Sequence, residues 1–214
     1  MFDPGIFVIV TNTAHEANLQ AVRRFVGRYR ATAIRSIQRA REEVAQSNDW
    51  VGLLITADLP WEATANLVAQ AQRYHPQLPV ALASAVDGGG PLPAAIEHMS
   101  LPMQQENLRK FLLRVVAQEM LECSASVEAL VEFAELHRLT VREAEVLCSA
   151  VAGIERQAYL SATGVAENTR KRQVQSLLRK CGYSGVERAA IAVLQDGVAR
   201  ASRQRIPESP SPLA

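Results

Sequence analysis

The chain has 214 residues, which is enough for one domain of usual size and a second, smaller one. Of these residues 48% are apolar and 21% are charged, so a hydrophobic core can form, and the formal net charge is only +1. No apolar run approaches the length of a membrane span, and the N-terminus lacks a basic region followed by an apolar stretch, so we expect a cytoplasmic protein without a membrane segment or signal peptide.

Short apolar runs alternate with amphipathic stretches over residues 1–121. The predicted strands are Ile6–Val10, Ala31–Ile34, Val51–Ile55, Val80–Ala83 and one between Ala95 and Pro102. The predicted helices are Glu16–Tyr29, Gln38–Gln46, Trp61–Tyr74, a short piece at Pro93–Met99, and a long one from Gln105 to about Leu121. Such alternation predicts βαβ units and a parallel sheet that is covered by helices on both faces.

Two segments of this half, WVGLLITADLP (Trp50–Pro60) and QLPVALASA (Gln77–Ala85), give it a family resemblance. Residues 1–121 resemble the receiver domain of response regulators. The resemblance implies an α/β fold with a doubly wound, five-stranded parallel sheet. It also implies a site at the carboxyl ends of the strands.

The residues at that implied site depart from the receiver pattern. A working receiver has an acidic pair after the first strand, an aspartate ending the third, a hydroxyl after the fourth and a lysine ending the fifth. The corresponding residues here are Thr11, Asn12, Thr56, Ser84 and Leu101. Only the hydroxyl is kept, Mg²⁺ prefers carboxylate oxygens, and Thr56 cannot form an acyl phosphate. We therefore predict a pseudo-receiver, whose altered pocket binds a small molecule, a partner protein or nothing.

Other candidate chemistry in this half is weak. Asp58 could act as a shifted phosphoacceptor, but a solvated loop carboxylate explains it better. The segment Asp87–Pro91 is glycine-rich yet lacks the Lys-Ser/Thr of a P-loop. The three cysteines and four histidines are scattered, and Cys123 as a redox-active thiol is the minor alternative to core packing. No cofactor, metal site or enzymatic activity is expected.

Residues 122–138 are predicted to form a linker helix with an apolar stripe that includes Leu130, Phe133 and Leu136. The stripe fits either packing on its own domain or pairing across a dimer. The last segment, residues 202–214, has three prolines and three serines and is predicted to be disordered.

Three helices are predicted in the remaining segment. Thr140 and Glu143 have capping-box spacing and open a helix that closes at Gly153. A short helix, Glu155–Ala162, stops at Thr163-Gly164. A basic helix follows, starting at Ala166 and the short polar or acidic side chains of residues 167–169, which suit a helix N-terminus, and ending at Gly182.

The basic helix has two distinct faces. Its apolar stripe consists of Val174, Leu177, Leu178 and Cys181, and its opposite face of Lys171, Arg172, Gln175 and Arg179. Such a helix can enter the DNA major groove, where Arg and Lys reach guanine and Gln reaches adenine. An ordinary solvated helix has the same pattern, but the preceding short helix and glycine turn favour a helix-turn-helix.

The segment from Leu139 to about Leu194 resembles the four-helix DNA-binding domain of the LuxR/FixJ family. The family's LTxRExEVL opening is matched by Leu139, Thr140, Arg142, Glu143, Glu145, Val146 and Leu147. Its later motifs are matched by Ala152-Gly153, Gly164, Glu167–Gln173 and Leu178–Gly182. Two residues depart from the pattern: Arg170 replaces a usually apolar residue, and Ala158 replaces an acidic one.

The resemblance implies an all-α, four-helix domain over residues 139–201 that binds paired DNA half-sites as a homodimer. By motif position, Lys171, Arg172 and Gln175 would face bases. Thr169, Arg170, Arg179 and Lys180 would hold phosphates.

Charge is divided unevenly along the chain. Residues 1–137 contain eleven Arg/Lys against fifteen Asp/Glu, whereas residues 138–206 contain twelve against six. A basic C-terminal half suits phosphate attraction. The sequence thus predicts a DNA-binding transcription regulator that is controlled independently of aspartyl phosphorylation. The alternative is an interaction module that docks on another regulator or on RNA polymerase without reading DNA.

Overall fold

A computed structural model describes residues 5–10, 19–20, 22–23, 29–46, 50–56, 60–84, 96–101 and 103–204. The chain divides into two compact units, Met1–Glu119 and Met120–Ala214.

The first unit contains a sheet of five parallel strands. They are β1 (Gly5–Val10), β2 (Arg30–Ile34), β3 (Trp50–Thr56), β4 (Val80–Ser84) and β5 (Ile96–Ser100). Their spatial order is β2-β1-β3-β4-β5. This is the order of flavodoxin-like doubly wound sheets, so the parallel α/β half predicted from the alternation is confirmed.

Three complete helices accompany the described strands. They are α1 (Ile37–Gln46), α2 (Trp61–Tyr74) and α3 (Gln105–Met120). Residues 19–20 and 22–23, within the predicted helix Glu16–Tyr29, are also helical, and Tyr29 at its predicted end lies in a bend. Tyr29 Oη donates a hydrogen bond of 2.5 Å to Glu119 Oε2 near the end of α3.

Strand β3 shows how helices cover both faces of the sheet. Leu53 and Ile55 belong to a buried apolar cluster with residues of α1 and α2. Gly52 points to the other face, where a Cβ atom would lie 2.9 Å from Val115 Cγ2 and 3.1 Å from Phe111 Cζ of α3. Alternate residues of a strand face opposite sides, and the missing side chain of Gly52 lets α3 approach the sheet closely.

One element was predicted incorrectly. Residues 96–99, assigned to a short helical piece, belong to β5, while residues 93–95 lie outside the described part of the chain. The strand lies within the predicted strand segment Ala95–Pro102. It pairs with β4, buries Ile96 and Met99, and places Glu97 Oε1 3.0 Å from Arg114 Nε of α3. Pairing with a neighbouring strand thus overrode a weak local helical pattern.

The second unit is helical in its described part. Its helices are α4 (Ser124–Leu136), α5 (Val141–Val151), α6 (Arg156–Thr163), α7 (Glu167–Cys181) and α8 (Val186–Gln204). Helix α8 extends three residues into the predicted disordered tail, and residues 205–214 lie outside the described chain.

The segment predicted as a linker helix contains α4, which packs within the second unit. Gly197 of α8 lies against it, so that a Cβ there would be 3.3 Å from the Cα atom of Ser126. Arg200 of α8 donates hydrogen bonds of 2.8 and 2.6 Å to both carboxylate oxygens of Glu132. These bonds and the nearby Asp196 raise the pKa of Arg200 above its already high usual value. Residues 124–136 are therefore a packed helix and not a free connection.

Candidate nucleic-acid interface

Helix α5 begins with the predicted capping box. The Glu143 amide donates to Thr140 Oγ1 at 3.3 Å, and the Thr140 amide donates to Glu143 Oε2 at 2.7 Å. Other residues of the same motif are buried in the unit, including Leu139, Val146 and Leu147. The opening motif therefore sets the start of α5 and contributes to the core.

Glu143 has a second role that the sequence did not indicate. Lys180 Nζ of α7 donates to Glu143 Oε2 at 2.5 Å and to the Arg138 carbonyl at 3.1 Å. Burial by itself would raise the pKa of Glu143, but hydrogen bonds from Lys180, Thr140 and Ser176 outweigh burial and lower the pKa below its usual 4.5. The Glu143 carboxylate is thus an ionised anchor between the start of α5 and the end of α7.

This geometry changes the interpretation of Lys180, which the family motif assigned to a phosphate. Its ammonium group already binds an almost fully buried carboxylate, whose side chain is only 6% exposed. A lysine held in this way positions α7 against α5 and is not a free cation on the surface of α7. The 37 residues that separate the partners explain why sequence spacing did not reveal the pair.

A glycine turn joins α6 to α7. Gly164 has a φ of +65° in the left-handed region, which glycine adopts without the steric penalty of a Cβ atom. The Thr163 hydroxyl donates to the Tyr159 carbonyl at 2.8 Å, and Arg156 of α6 forms an ion pair with Glu167 of α7. The turn and the ion pair fix how α7 follows α6.

The N-terminus of α7 differs from expectation. Its N-cap is Ala166, and no side chain caps the helix. Glu167 lies in the first turn, where its charge favours the positive end of the helix dipole. The predicted C-terminal glycine, Gly182, is present with a φ of +74°.

The two predicted faces of α7 are present. Leu177 is fully buried, and Val174, Leu178 and Cys181 are half-buried. Five of the seven predicted DNA contacts are exposed, namely Thr169 and four residues of the predicted polar face. The four are Lys171, Arg172, Gln175 and Arg179. They present two guanidinium groups, one ammonium group and one amide on a single helical surface, a set that can bind phosphates and base edges.

Arg170 lies apart from this exposed face. Its side chain is half-buried, and its Cζ atom lies 5.7 Å from the centre of the Tyr159 ring. Its Nε atom is buried and, among the described residues, has no hydrogen-bond partner. The guanidinium group thus lies beside Tyr159 of α6, and the predicted contact of Arg170 with a phosphate stays a prediction. Ala158, the other departure from the family pattern, is exposed.

The predicted receiver pocket is only partly described. Thr56 at the end of β3 is fully buried and pairs in register with Ala83 of β4. Ser84 and Leu101 are half-buried, and the Leu101 amide donates to the Ser84 carbonyl at 3.0 Å. Thr11, Asn12 and Asp58 lie outside the described residues. Thr56, which the receiver resemblance aligns with the phosphorylatable aspartate, is thus a buried side chain at the end of β3.

Two kinds of feature are absent from the described residues. No group of three or more His, Cys, Asp or Glu side chains is arranged to hold a metal ion. Within the same residues, no helix combines the length and apolar composition that crossing a bilayer requires.

Residues 5–118 match the family model described as flagellar regulatory protein FleQ. The chain belongs to the FleQ family. The match covers the first unit of this FleQ-family chain and stops before the second. No curated protein matches the chain.

Solved structures give weaker likenesses to the FleQ-family chain. A Burkholderia pseudomallei protein described as pilus assembly-related is 20% identical, with a TM-score of 0.44, over 54% of this chain and 91% of that one. FixJ from B. japonicum is 14% identical, with a TM-score of 0.39, over 91% and 99% of the two chains. RcsB from Salmonella enterica serovar Typhimurium, solved bound to a promoter, is 13% identical, with a TM-score of 0.41, over 89% and 98%. TM-scores in this range do not establish a shared fold.

Proposed function

We propose that this FleQ-family protein is a transcription regulator that reads double-stranded DNA through α7, and that aspartyl phosphorylation does not control it. The observation that carries the proposal is the exposed set Lys171, Arg172, Gln175 and Arg179 on a helix whose other side is packed. Lys171, Arg172 and Gln175 would contact base edges. Thr169 and Arg179 would contact phosphates.

The helices around α7 support this reading. The glycine turn at Gly164 and the Arg156–Glu167 ion pair fix the entry to α7. The Lys180–Glu143 pair holds its C-terminal end. A recognition helix must be held rigidly if its side chains are to meet base edges in a fixed register.

Binding as a homodimer is part of the proposal. On α8, Ile191, Leu194 and Val198 are spaced i, i+3 and i+7 and are 52%, 39% and 66% exposed. A helical apolar stripe left on the surface is typical of a contact with another protein chain. Two copies paired in this way would protect two half-sites in a DNA footprint.

The DNA-binding proposal is tested by replacing Lys171 and Arg172 with alanine together. Promoter fragments of flagellar genes are the first DNA to try, because the matching family is described as flagellar regulatory. We expect the double variant to lose at least about tenfold in affinity, since each good base contact contributes roughly 1–3 kcal/mol. Both side chains are exposed, so the unfolding midpoint should not change.

The matched control for this test is Arg73→Ala with Lys110→Ala, which removes the same charge from exposed positions of the first unit. Equal affinity of the wild type and the Lys171/Arg172 variant for a bound promoter would refute the assignment to α7. If random duplex also failed to bind at low salt, where phosphate attraction is strongest, the docking alternative would replace the DNA-binding one.

Independence from phosphorylation has its own test. We expect no mass increase after incubation with acetyl phosphate and Mg²⁺, because a buried threonine ends β3. Intact-protein mass spectrometry measures this directly. Stoichiometric addition of a phosphoryl group would overturn this part of the proposal while leaving the DNA-binding test intact.

A further inference from the structure

The most basic stretch of the chain lies in the half that is acidic overall. Residues 23–41 contain seven arginines and no aspartate or glutamate, although residues 1–137 contain fifteen acidic residues. All seven cations are arginines. The planar guanidinium group matches carboxylates and phosphates with two parallel hydrogen bonds. A stretch whose cations are all arginines therefore favours a role in binding an anion over a role in keeping the surface soluble.

The structure gathers four of these arginines around one groove. Arg23, Arg30, Arg35 and Arg39 are all exposed and line an open groove of about 850 Å³. No acidic residue of the described chain lines the groove. Arg30 and Arg35 also interact within the chain, and Arg39 Nε lies 3.7 Å from Glu43 Oε1 with 73% of its side chain exposed. The four guanidinium groups thus lie exposed around the groove, and three of them also interact with other groups of the chain.

The floor of the groove is strand β2, whose residues Arg30–Ala33 line it. Among the described strands, β2 lies at the edge of the sheet and pairs only with β1. An edge strand directs alternate backbone N–H and C=O groups away from the sheet, where another extended chain can pair with them. The N-terminus of α1 also lies at the groove, at Ser36, and its first turn contains no acidic residue that would offset the dipole.

We propose that this groove binds an extended acidic segment of a partner protein, which pairs with β2 as an additional strand while its carboxylates contact the arginines. The edge strand distinguishes this occupant from nucleic acid, because a sugar-phosphate backbone cannot continue a β-sheet. The groove lies on the first unit, so this binding is separate from the proposed DNA contact of α7.

The test uses the full-length protein and a fluorescein-labelled twelve-residue peptide in which glutamate alternates with valine. Its counterpart with glutamine has similar strand propensity without charge. We expect saturable binding of the glutamate peptide by fluorescence anisotropy, and weaker binding of the glutamine peptide by at least about tenfold, because paired charges supply the selectivity. The backbone amide signals of residues 31–33 should shift in an ¹⁵N-labelled sample.

Arg30→Glu with Arg35→Glu should reduce affinity for the acidic peptide at least about tenfold by reversing charge in the groove. The matched control, Arg73→Glu with Lys110→Glu, makes the same change in net charge outside the groove and should bind as the wild type does. Both double variants are checked by circular dichroism, and the amide shifts of the wild type locate the site even where the groove variant unfolds.

Three outcomes would overturn the proposal. They are no saturable binding of the glutamate peptide, equal affinity for both peptides, and equal losses of peptide affinity in the groove and control variants. Random duplex DNA is measured in parallel. A loss of duplex affinity in the groove variant, without peptide binding by the wild type, would assign the arginines to nucleic acid instead.

Discussion

The carboxyl edge of the sheet and the exposed face of α7 differ in one respect. They differ in whether the residues that carry the family resemblance also pack the core. At the sheet edge, a receiver's reactive residues lie at strand ends, so they can be replaced while Leu53, Ile55 and the rest of the core remain. In the second unit, the residues that carry the LuxR/FixJ resemblance are themselves structural. Thr140 caps a helix and Glu143 anchors another.

Because of this difference, the two family resemblances concern different kinds of residue. A motif made of packed residues identifies a fold, and the exposed Lys171, Arg172 and Gln175 on α7 are not needed for that packing. Conversely, the first unit has a doubly wound parallel sheet whose strand β3 ends in the buried Thr56. In the second unit, the side chains that pack the fold and those proposed to bind DNA are largely different residues.

The largest effect should come from the core of the first unit. Gly52→Val would place a side chain where a Cβ atom alone lies 2.9 Å from Val115 Cγ2. We expect the free energy of unfolding to fall by about 2–3 kcal/mol, the upper part of the range of roughly 1–3 kcal/mol for overpacking a buried site. Fluorescence reports this unit selectively, because both tryptophans, Trp50 and Trp61, belong to it.

Val51→Thr, at the half-buried neighbouring position in the same strand, serves as the control and should change the urea midpoint much less. An unchanged midpoint in the Gly52 variant would mean that α3 does not press on β3. Core packing of α3 on β3 would then not explain why the sheet persists.

A smaller effect is expected at the anchor between α5 and α7. Lys180→Met would leave the buried Glu143 carboxylate without its ammonium partner. Breaking a buried ion pair from one side typically costs about 3–5 kcal/mol, and partial exposure of Lys180 should reduce this cost to about 2 kcal/mol. Urea denaturation followed by helical circular dichroism measures the loss, and Lys180→Met with Glu143→Gln should recover part of it.

Acid provides an independent check on the same pair. Because the folded pKa of Glu143 is lowered, its stabilising contribution is present above the usual value of 4.5 and is lost as the pH falls through the folded pKa. The Glu143→Gln variant should lack this acid dependence. If instead Lys180→Met left stability unchanged and reduced the salt dependence of DNA binding by about one phosphate contact, Lys180 would belong to the DNA surface after all.

How far the sequence could predict these regions depended on the range of the interactions involved. The capping box of Thr140 and Glu143 spans three residues, and Gly164 and Gly182 mark local turns, so short patterns were sufficient to place α5, α6 and α7. Strand β5 depends on pairing with β4, and residues 96–99 were therefore partly mistaken for a helix. Local patterns carry no information about such partners.

The candidate interface shows the same limit. Amphipathic spacing alone predicted that Lys171, Arg172, Gln175 and Arg179 share an exposed face. It did not predict that Lys180 pairs with Glu143, because the contact joins distant segments of the chain. The arginines of residues 23–41 were visible as composition, but the groove that they form depends on where β2 lies in the sheet.

The smallest effect concerns Arg170, which lies between the structural and the functional residues of the second unit. Arg170→Leu would restore the apolar character usual in the LuxR/FixJ pattern and remove a buried Nε that has no partner among the described residues. An unsatisfied buried donor costs roughly 1–3 kcal/mol, whereas the lost cation–π contact with Tyr159 contributes about 0.5–1 kcal/mol. We therefore expect stability to rise by about 1 kcal/mol or less in urea denaturation.

The DNA affinity of the same variant shows whether Arg170 only packs α7 on α6 or also contacts DNA. If its side chain serves only to pack α7 on α6, promoter affinity should stay within about twofold of the wild type, since no phosphate contact is lost. Arg170→Lys keeps the charge without the planar stacking surface and is the matched control. A fall in affinity for the leucine variant, with recovery in the lysine variant, would show that the charge reaches DNA. Arg170 would then be a residue of α7 that both packs and binds, and the separation of structural from functional residues would not hold at this position.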